Sequence, residues 1–273
     1  MNVLNPFDAD TAVEALGDGR FRAGLVKDWW VGRGPNGGYL AAIIMRALQE
    51  VAPADRPPRS LTIHFLRPPA EGEVEIAVTT ERSGSAATFL SARMEQAGRT
   101  QALILAAFSA EWTGPSFDNT AMPDVPGPDA ELVQLDPETM DVPPFFHNYR
   151  ALPAVGTPPF SGGTEAITGG WIGAREPHVL DAPLAAAILD AWIPAPFIVL
   201  DGFAAAPTID YTVHFRVPLP QPGASPDDLH LSVFRSNLSH DGFFEEDGEL
   251  WSAGGMLLAQ SRQLALLLEL PRG

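Results

Sequence analysis

Three polar residues stand in apolar company in the second half of the chain. Asp190 follows Leu189 in a helix-patterned apolar stretch, Thr208 opens the run Thr208-Ile209-Asp210-Tyr211, and Gln260 lies within Leu257-Leu258-Ala259-Gln260-Ser261-Arg262. A carboxylate, a hydroxyl and an amide that converge can hold one water and take its proton. Burying such groups apart, without mutual hydrogen bonds, is costly, which favours a shared site. Linear spacing leaves their convergence open. A second feature is the turn Gly34-Pro35-Asn36-Gly37-Gly38, which leads directly into a helical segment. Backbone N–H groups at a helix start can face an anion or an oxyanion. Gly37 and Gly38 are therefore candidates to contact substrate, while a plain anchoring turn is the simpler role. The spacing matches neither a P-loop nor a dinucleotide fingerprint.

The elements that must position these groups come in two similar sets. Between Pro207 and Pro218, a period of two puts Ile209, Tyr211, Val213 and Phe215 on one face of a strand and Thr208, Asp210, Thr212 and His214 on the other. The segment Leu61-Thr62-Ile63-His64-Phe65 repeats Tyr211-Thr212-Val213-His214-Phe215 at a constant offset of 150 positions. The flanks repeat as well. In the first half the helix is Tyr39–Val51, followed by strands over 60–66, 73–82, 88–96 and 101–111. In the second half, strands are expected over 146–150 and 164–172, and a helix over Pro183–Trp192 with Asp181 and Pro183 at its start. A small-residue loop over 197–206 precedes the strand at Thr208, and 229–236, 242–245 and 249–268 follow as strands, the last interrupted near Gly254-Gly255. Asp241-Gly242 and Asp247-Gly248 both read as hairpin turns. Residues 113–145, rich in proline and acid, read as a surface linker. The expected organisation is a module over 1–112, a linker over 113–145 and a module over 146–273. A run of strands after a single helix favours an α+β class over a doubly wound sheet.

Composition narrows the function. The chain has 273 residues, a net charge of −17 and no cysteine. The acidic excess argues against nucleic acid as a partner. No apolar run approaches the roughly 20 residues of a membrane helix, so no membrane insertion is expected. Absence of cysteine excludes disulfides and thiol catalysis and is compatible with a reducing compartment, so a cytoplasmic location is expected, with no secretory signal at the start. No Gly-x-Ser-x-Gly elbow occurs, which disfavours a serine esterase of the α/β-hydrolase kind. His64 and His214 hold matching places in the repeat, which favours a shared structural role, and neither has a partner at metal-ligand spacing.

The order of these segments resembles the acyl-CoA thioesterase II group of the hot-dog superfamily, in its double hot-dog form. Gly34-Pro35-Asn36-Gly37-Gly38-Tyr39-Leu40-Ala41 is similar to the turn that opens the first hot-dog helix, and Ser60 to Pro69 to the strand after it. Leu189-Asp190, Pro207-Thr208-Ile209-Asp210 and Ala259-Gln260 resemble the segments that supply that group's Asp, Thr and Gln. The resemblance implies two tandem hot-dog modules and hydrolysis of an acyl-CoA by a water that Asp190, Thr208 and Gln260 orient and activate. It implies no covalent acyl-enzyme and no cofactor. Arg33, Arg59, Arg67 and Arg93 are the candidates for the coenzyme A tail, Arg67 foremost. An open sheet face needs cover, so a homo-oligomer, dimer or higher, is expected. Two other functions stay open. A hydratase or dehydratase would need a His–Asp pair, but Asp210 and His214 lie about 13 Å apart along one strand. A non-catalytic acyl- or lipid-binding module would retain ligand without turnover.

Overall fold

The computed structural model describes residues 5–140 and 142–269. Three α-helices are present among them: α1 (Pro6–Asp10), α2 (Gly37–Val51) and α3 (Ala182–Ile188). The principal strands are β1 (Glu14–Gly17), β2 (Arg20–Leu25), β3 (Pro58–Phe65), β4 (Gly72–Ser83), β5 (Ala87–Gln96) and β6 (Arg99–Ser109) in the first half. The second half supplies β7 (Tyr149–Val155), β8 (Ile167–Ala174), β9 (Thr208–Phe215), β10 (His230–Arg235), β11 (Phe243–Trp251) and β12 (Leu257–Leu266). They form one continuous antiparallel sheet in the order β1-β2-β4-β5-β6-β3-β9-β12-β11-β10-β8-β7, with the short strand Ser239–His240 beside β11.

The seam between the halves is the sequence repeat itself. β3 pairs antiparallel with β9, Thr62 faces Thr212, Leu61 faces Val213 and Ile63 faces Tyr211. The hydroxyls of Thr62 and Thr212, 150 positions apart, lie 3.0 Å from each other. An approximate two-fold axis therefore passes between these threonines, since each strand's neighbours swap places across them. The inward residues Leu61, Ile63, Tyr211 and Val213 are all fully buried.

Each half of the sheet curls around a helix. α2 is apolar on nearly every side, with Tyr39 to Met45, Ala47 and Leu48 buried, as a helix enclosed by protein must be. α3 is a short, alanine-rich helix that packs against it. The main core runs unbroken from Ile43 and Ile44 to Ala186, Tyr211 and Leu258. A smaller cluster around Leu152, Trp171, Leu231 and Trp251 lies toward the second-half edge, where Met122, Val125 and Leu132 pack over it. The stretch 113–145 thus drapes over the second half, and the Trp171 indole donates to Pro126 O at 2.8 Å.

Several local expectations are corrected. Residues 144–148 form a 3-10 turn led by Pro143 and Pro144, and the strand begins only at Tyr149. α3 stops at Ile188; beyond it the bonds tighten to three-residue spacing, Asp190 N–H donating to Ala187 O and Ala191 N–H to Ile188 O, on the way to Pro194. Asp247-Gly248 is no turn but the middle of β11. A side chain at Gly248 would meet Ser261 Oγ at 2.3 Å, so glycine there serves close packing of adjacent strands. Among the described residues no helix is long and apolar enough to cross a membrane.

Candidate active site

α2 and α3 lie side by side so that the end of α3 meets the start of α2. The join is tight because both partners lack bulk. A Cβ on Gly38 would meet Ala187 O at 2.5 Å, and one on Gly37 would meet Asp190 Oδ2 at 2.9 Å and the Phe65 ring at 3.2 Å. Ser261 Oγ, on β12, reaches Leu189 O at 3.4 Å, and the Tyr211 hydroxyl, on β9, donates to Ala186 O at 2.7 Å. These two bonds fasten the last turn of α3 to the sheet and carry Asp190 to the N-terminus of α2.

Asp190 is the centre of the constellation. Its Oδ2 accepts from Gly38 N–H at 2.7 Å and from the Asn36 amide at 3.1 Å, and its Oδ1 accepts from Gln263 Nε2 at 3.0 Å. Asn36 is also the helix cap: its Oδ1 accepts from Tyr39 N–H at 3.1 Å while Nδ2 donates to Asp190 O at 2.9 Å. The Gln263 amide is oriented by both of its ends, because Oε1 accepts from Thr208 Oγ1 at 2.9 Å. A directed chain results: Thr208 hydroxyl to Gln263 carbonyl, Gln263 amide to Asp190 carboxylate.

Asp190 is partly buried as a residue, and its carboxylate is ringed by protein donors. Burial raises its pKa from 3.8 to about 6, against the pull of the Gly38, Gln263, Asn36 and Gly37 donors and the positive end of α2. Asp190 is therefore ionised at neutral pH and more basic than an ordinary carboxylate. Two tyrosines adjoin it. Burial first, and then the Asp190 charge, push the Tyr149 and Tyr211 hydroxyls upward, so both remain protonated donors. Tyr149 O–H, fully buried, has no hydrogen-bond partner among the described residues.

Of the residues that the sequence singles out, the structure brings Asp190 and Thr208 together through Gln263 and leaves Gln260 outside. On β12 the inward positions are Ala259, Ser261, Gln263 and Ala265, whereas Gln260 shares the outer face with Arg262 and Leu264. It sits opposite the exposed His214 and beside Glu249, away from Asp190. Period-two counting from Arg262, an outward residue by its charge, would have selected Gln263. Asn36, directly before the two glycines of the turn, joins the constellation although no motif singles it out. Gly37 and Gly38 reach the site, but the Gly38 N–H is committed to Asp190 and is not free to meet an oxyanion. Arg67 is exposed and tied to Thr100 O at the start of β6, with no contact to the constellation. His64 and His214 are exposed on the outer face of the sheet; Asp210 faces His64 across the β3–β9 seam.

The other end of the helix pair is built differently. Asp181 caps α3, accepting from Leu184 N–H at 2.8 Å, and Arg46 of α2 lies near it. Arg46 donates to Asp8 at 2.6 Å and to Thr11 at 2.7 Å, and His178 Nε2 lies 3.0 Å from the same Asp8 carboxylate. Asp8, His178 and Asp181 are close enough to suggest a cation site, but the Arg46 guanidinium already supplies the positive charge there. The cluster is an ion-paired clasp holding α1 against both helices.

Known proteins agree with this architecture. The acyl-CoA thioesterase N-terminal domain matches residues 26–110 and the acyl-CoA thioesterase C-terminal domain matches residues 120–267. A conserved hot-dog protein of unknown function from Alicyclobacillus acidocaldarius is 26% identical, with 99% of this chain and 100% of that one covered and a TM-score of 0.89. A candidate thioesterase II from Thermobifida fusca YX is 25% identical over 96% of this chain and 97% of that one, with a TM-score of 0.80. The acyl-CoA thioesterase II TesB2 from Mycobacterium marinum shares the fold at 18% identity, covering 97% and 98% of the two chains with a TM-score of 0.77. No curated protein matches the sequence. Both domains of one family follow one another here in the family's own order, and the chain belongs to the acyl-CoA thioesterases of the double hot-dog fold.

Proposed function

We propose that the protein hydrolyses acyl-CoA thioesters with a water activated by Asp190, without a covalent intermediate. The observation that carries this reading is the Thr208–Gln263–Asp190 chain, which ends on a carboxylate whose pKa lies near 6. Oδ2 accepts two hydrogen bonds and Oδ1 one, from Gln263, so Oδ1 keeps the lone pair that can take a proton. Water attacks the thioester carbonyl while its proton passes to Asp190. The tetrahedral oxyanion collapses, the carbon–sulfur bond breaks, and the proton on Asp190 goes to the departing thiolate. Gln263 holds the carboxylate in place, and Thr208, having donated to Gln263, can accept a hydrogen bond from the water. Family membership supports coenzyme A as the thiol carrier.

The test is thiol release from acyl-CoAs, short, long and aromatic, by wild type and Asp190→Asn. Turnover is expected, with a loss of about 10²–10⁴-fold in the variant, the usual contribution of a positioned general base. Undiminished turnover in the variant would refute the role of Asp190. Stoichiometric binding of acyl-CoA with no thiol release would instead make this an acyl-binding module. Hydration of an enoyl thioester finds no support in the site, because both repeat histidines face outward.

A further inference from the structure

The described site does not account for Glu246. This residue lies in β11 directly opposite Gln263 of β12, and its neighbours on the same inward face are Phe244, Gly248 and Leu250. Only 5% of its surface is exposed. Its Oε2 accepts from Ala195 N–H at 2.6 Å, and Ala195 begins the 3-10 turn that follows the Asp190 segment. Glu246 is thereby wedged between the strand that presents Gln263 and the chain that presents Asp190.

The charged groups that act on it are carboxylates. Asp190 approaches from the end of α3, and Glu245 and Asp247 flank it on its own strand. Asp247 is answered by Arg262 at 2.8 Å, whereas Glu246 contacts no cation among the described residues. Two carboxyls that share a buried region without a cation do not ionise together. Their hydrogen bonds decide which one holds the proton. Asp190 accepts three donors and lies at the positive end of α2; Glu246 accepts one. Burial raises Glu246 to about 8, above Asp190.

We propose that Glu246 is a positioning residue of this site, carrying a proton while Asp190 is ionised and locking the turn after Asp190 to the strand beside Gln263. Neutral, it holds Ala195 without opposing the negative charge that Asp190 and the reacting oxygen carry. Ionised in alkali, it places a like charge beside both and slows the reaction. The kinetic part rests on the thioesterase reading; the protonation itself does not.

Two measurements separate them. The first is the infrared band of a protonated carboxylic acid in deuterium oxide at neutral pH, expected in wild type and absent from Glu246→Gln. The second is the pH profile of kcat and KM for acyl-CoA hydrolysis. Wild type should lose roughly tenfold in kcat between neutral pH and about pH 9, with KM little changed, the order of effect of a nearby like charge. Glu246→Gln should show no such alkaline fall. A band that persists in Glu246→Gln overturns the proposal, as does an unchanged alkaline fall in Glu246→Gln. If wild type hydrolyses no acyl-CoA, the thioesterase reading fails and the infrared band alone decides the proton on Glu246.

Discussion

Replacing Gln263 by leucine separates the two glutamines of β12 as candidates for the site. Leucine keeps the side-chain volume but removes the amide that donates to Asp190 Oδ1 at 3.0 Å and accepts from Thr208 at 2.9 Å. A hydrogen bond to a charged group is worth about 1.5–3 kcal/mol. At about 1.4 kcal/mol per factor of ten, kcat/KM should fall about 10–100-fold. The same change strips Asp190 of a donor that holds its pKa down, so the acid limb of the pH profile should move upward from about 6. Gln260→Leu alters a side chain on the outer face, and such substitutions usually fall within about 0.5 kcal/mol, or a factor of two to three. The assay is initial-rate thiol release across pH for wild type and both variants, with circular dichroism to show that each is folded. Equal losses in the two variants, or a Gln263→Leu enzyme with unchanged rate and unchanged acid limb, would refute the assignment of Gln263 and the hydrogen-bond chain built on it.

Gly38→Ala should destabilise the protein by about 1–3 kcal/mol in denaturant titration, because the new methyl would lie 2.5 Å from the backbone oxygen of Ala187, which cannot swing aside. Stability should also fall as pH rises through about 6 and then about 8. Both Asp190 and Glu246 are raised on folding, from 3.8 and 4.5, so the folded state holds their protons more tightly and that advantage disappears above their folded values. For Asp190 the gap amounts to about 3 kcal/mol, and thermal melts at stepped pH would contradict the sign if stability rose over that range.

How much of this was legible beforehand follows from the range of the forces involved. The repeat could be read from Leu61-Thr62-Ile63 and Tyr211-Thr212-Val213 because strand alternation is local, and pairing of like strands at the centre then places Thr62 against Thr212. Asp190 and Thr208 stood out as polar groups beside apolar runs. The sequence reading names Gln260; counting the alternation of β12 through the outward Arg262 puts Gln263 on the inner face, and a register shift of odd length always changes the face. Asp247-Gly248 has the local chemistry of a turn, yet the side chains of Phe234 and Ser261 require a glycine in mid-strand. The roles of Asn36 and Glu246 depend on partners 154 and 51 positions away, and no local pattern announces such contacts.

The paired helices give the molecule two ends of opposite electrical design. At one, an amide cap and a helix start receive a carboxylate; at the other, a carboxylate cap stands near a guanidinium, and α1 is latched over it. Among the described residues the constellation around Asp190 therefore occurs once for every two modules, so on the proposed reading one chain turns over one substrate at a time.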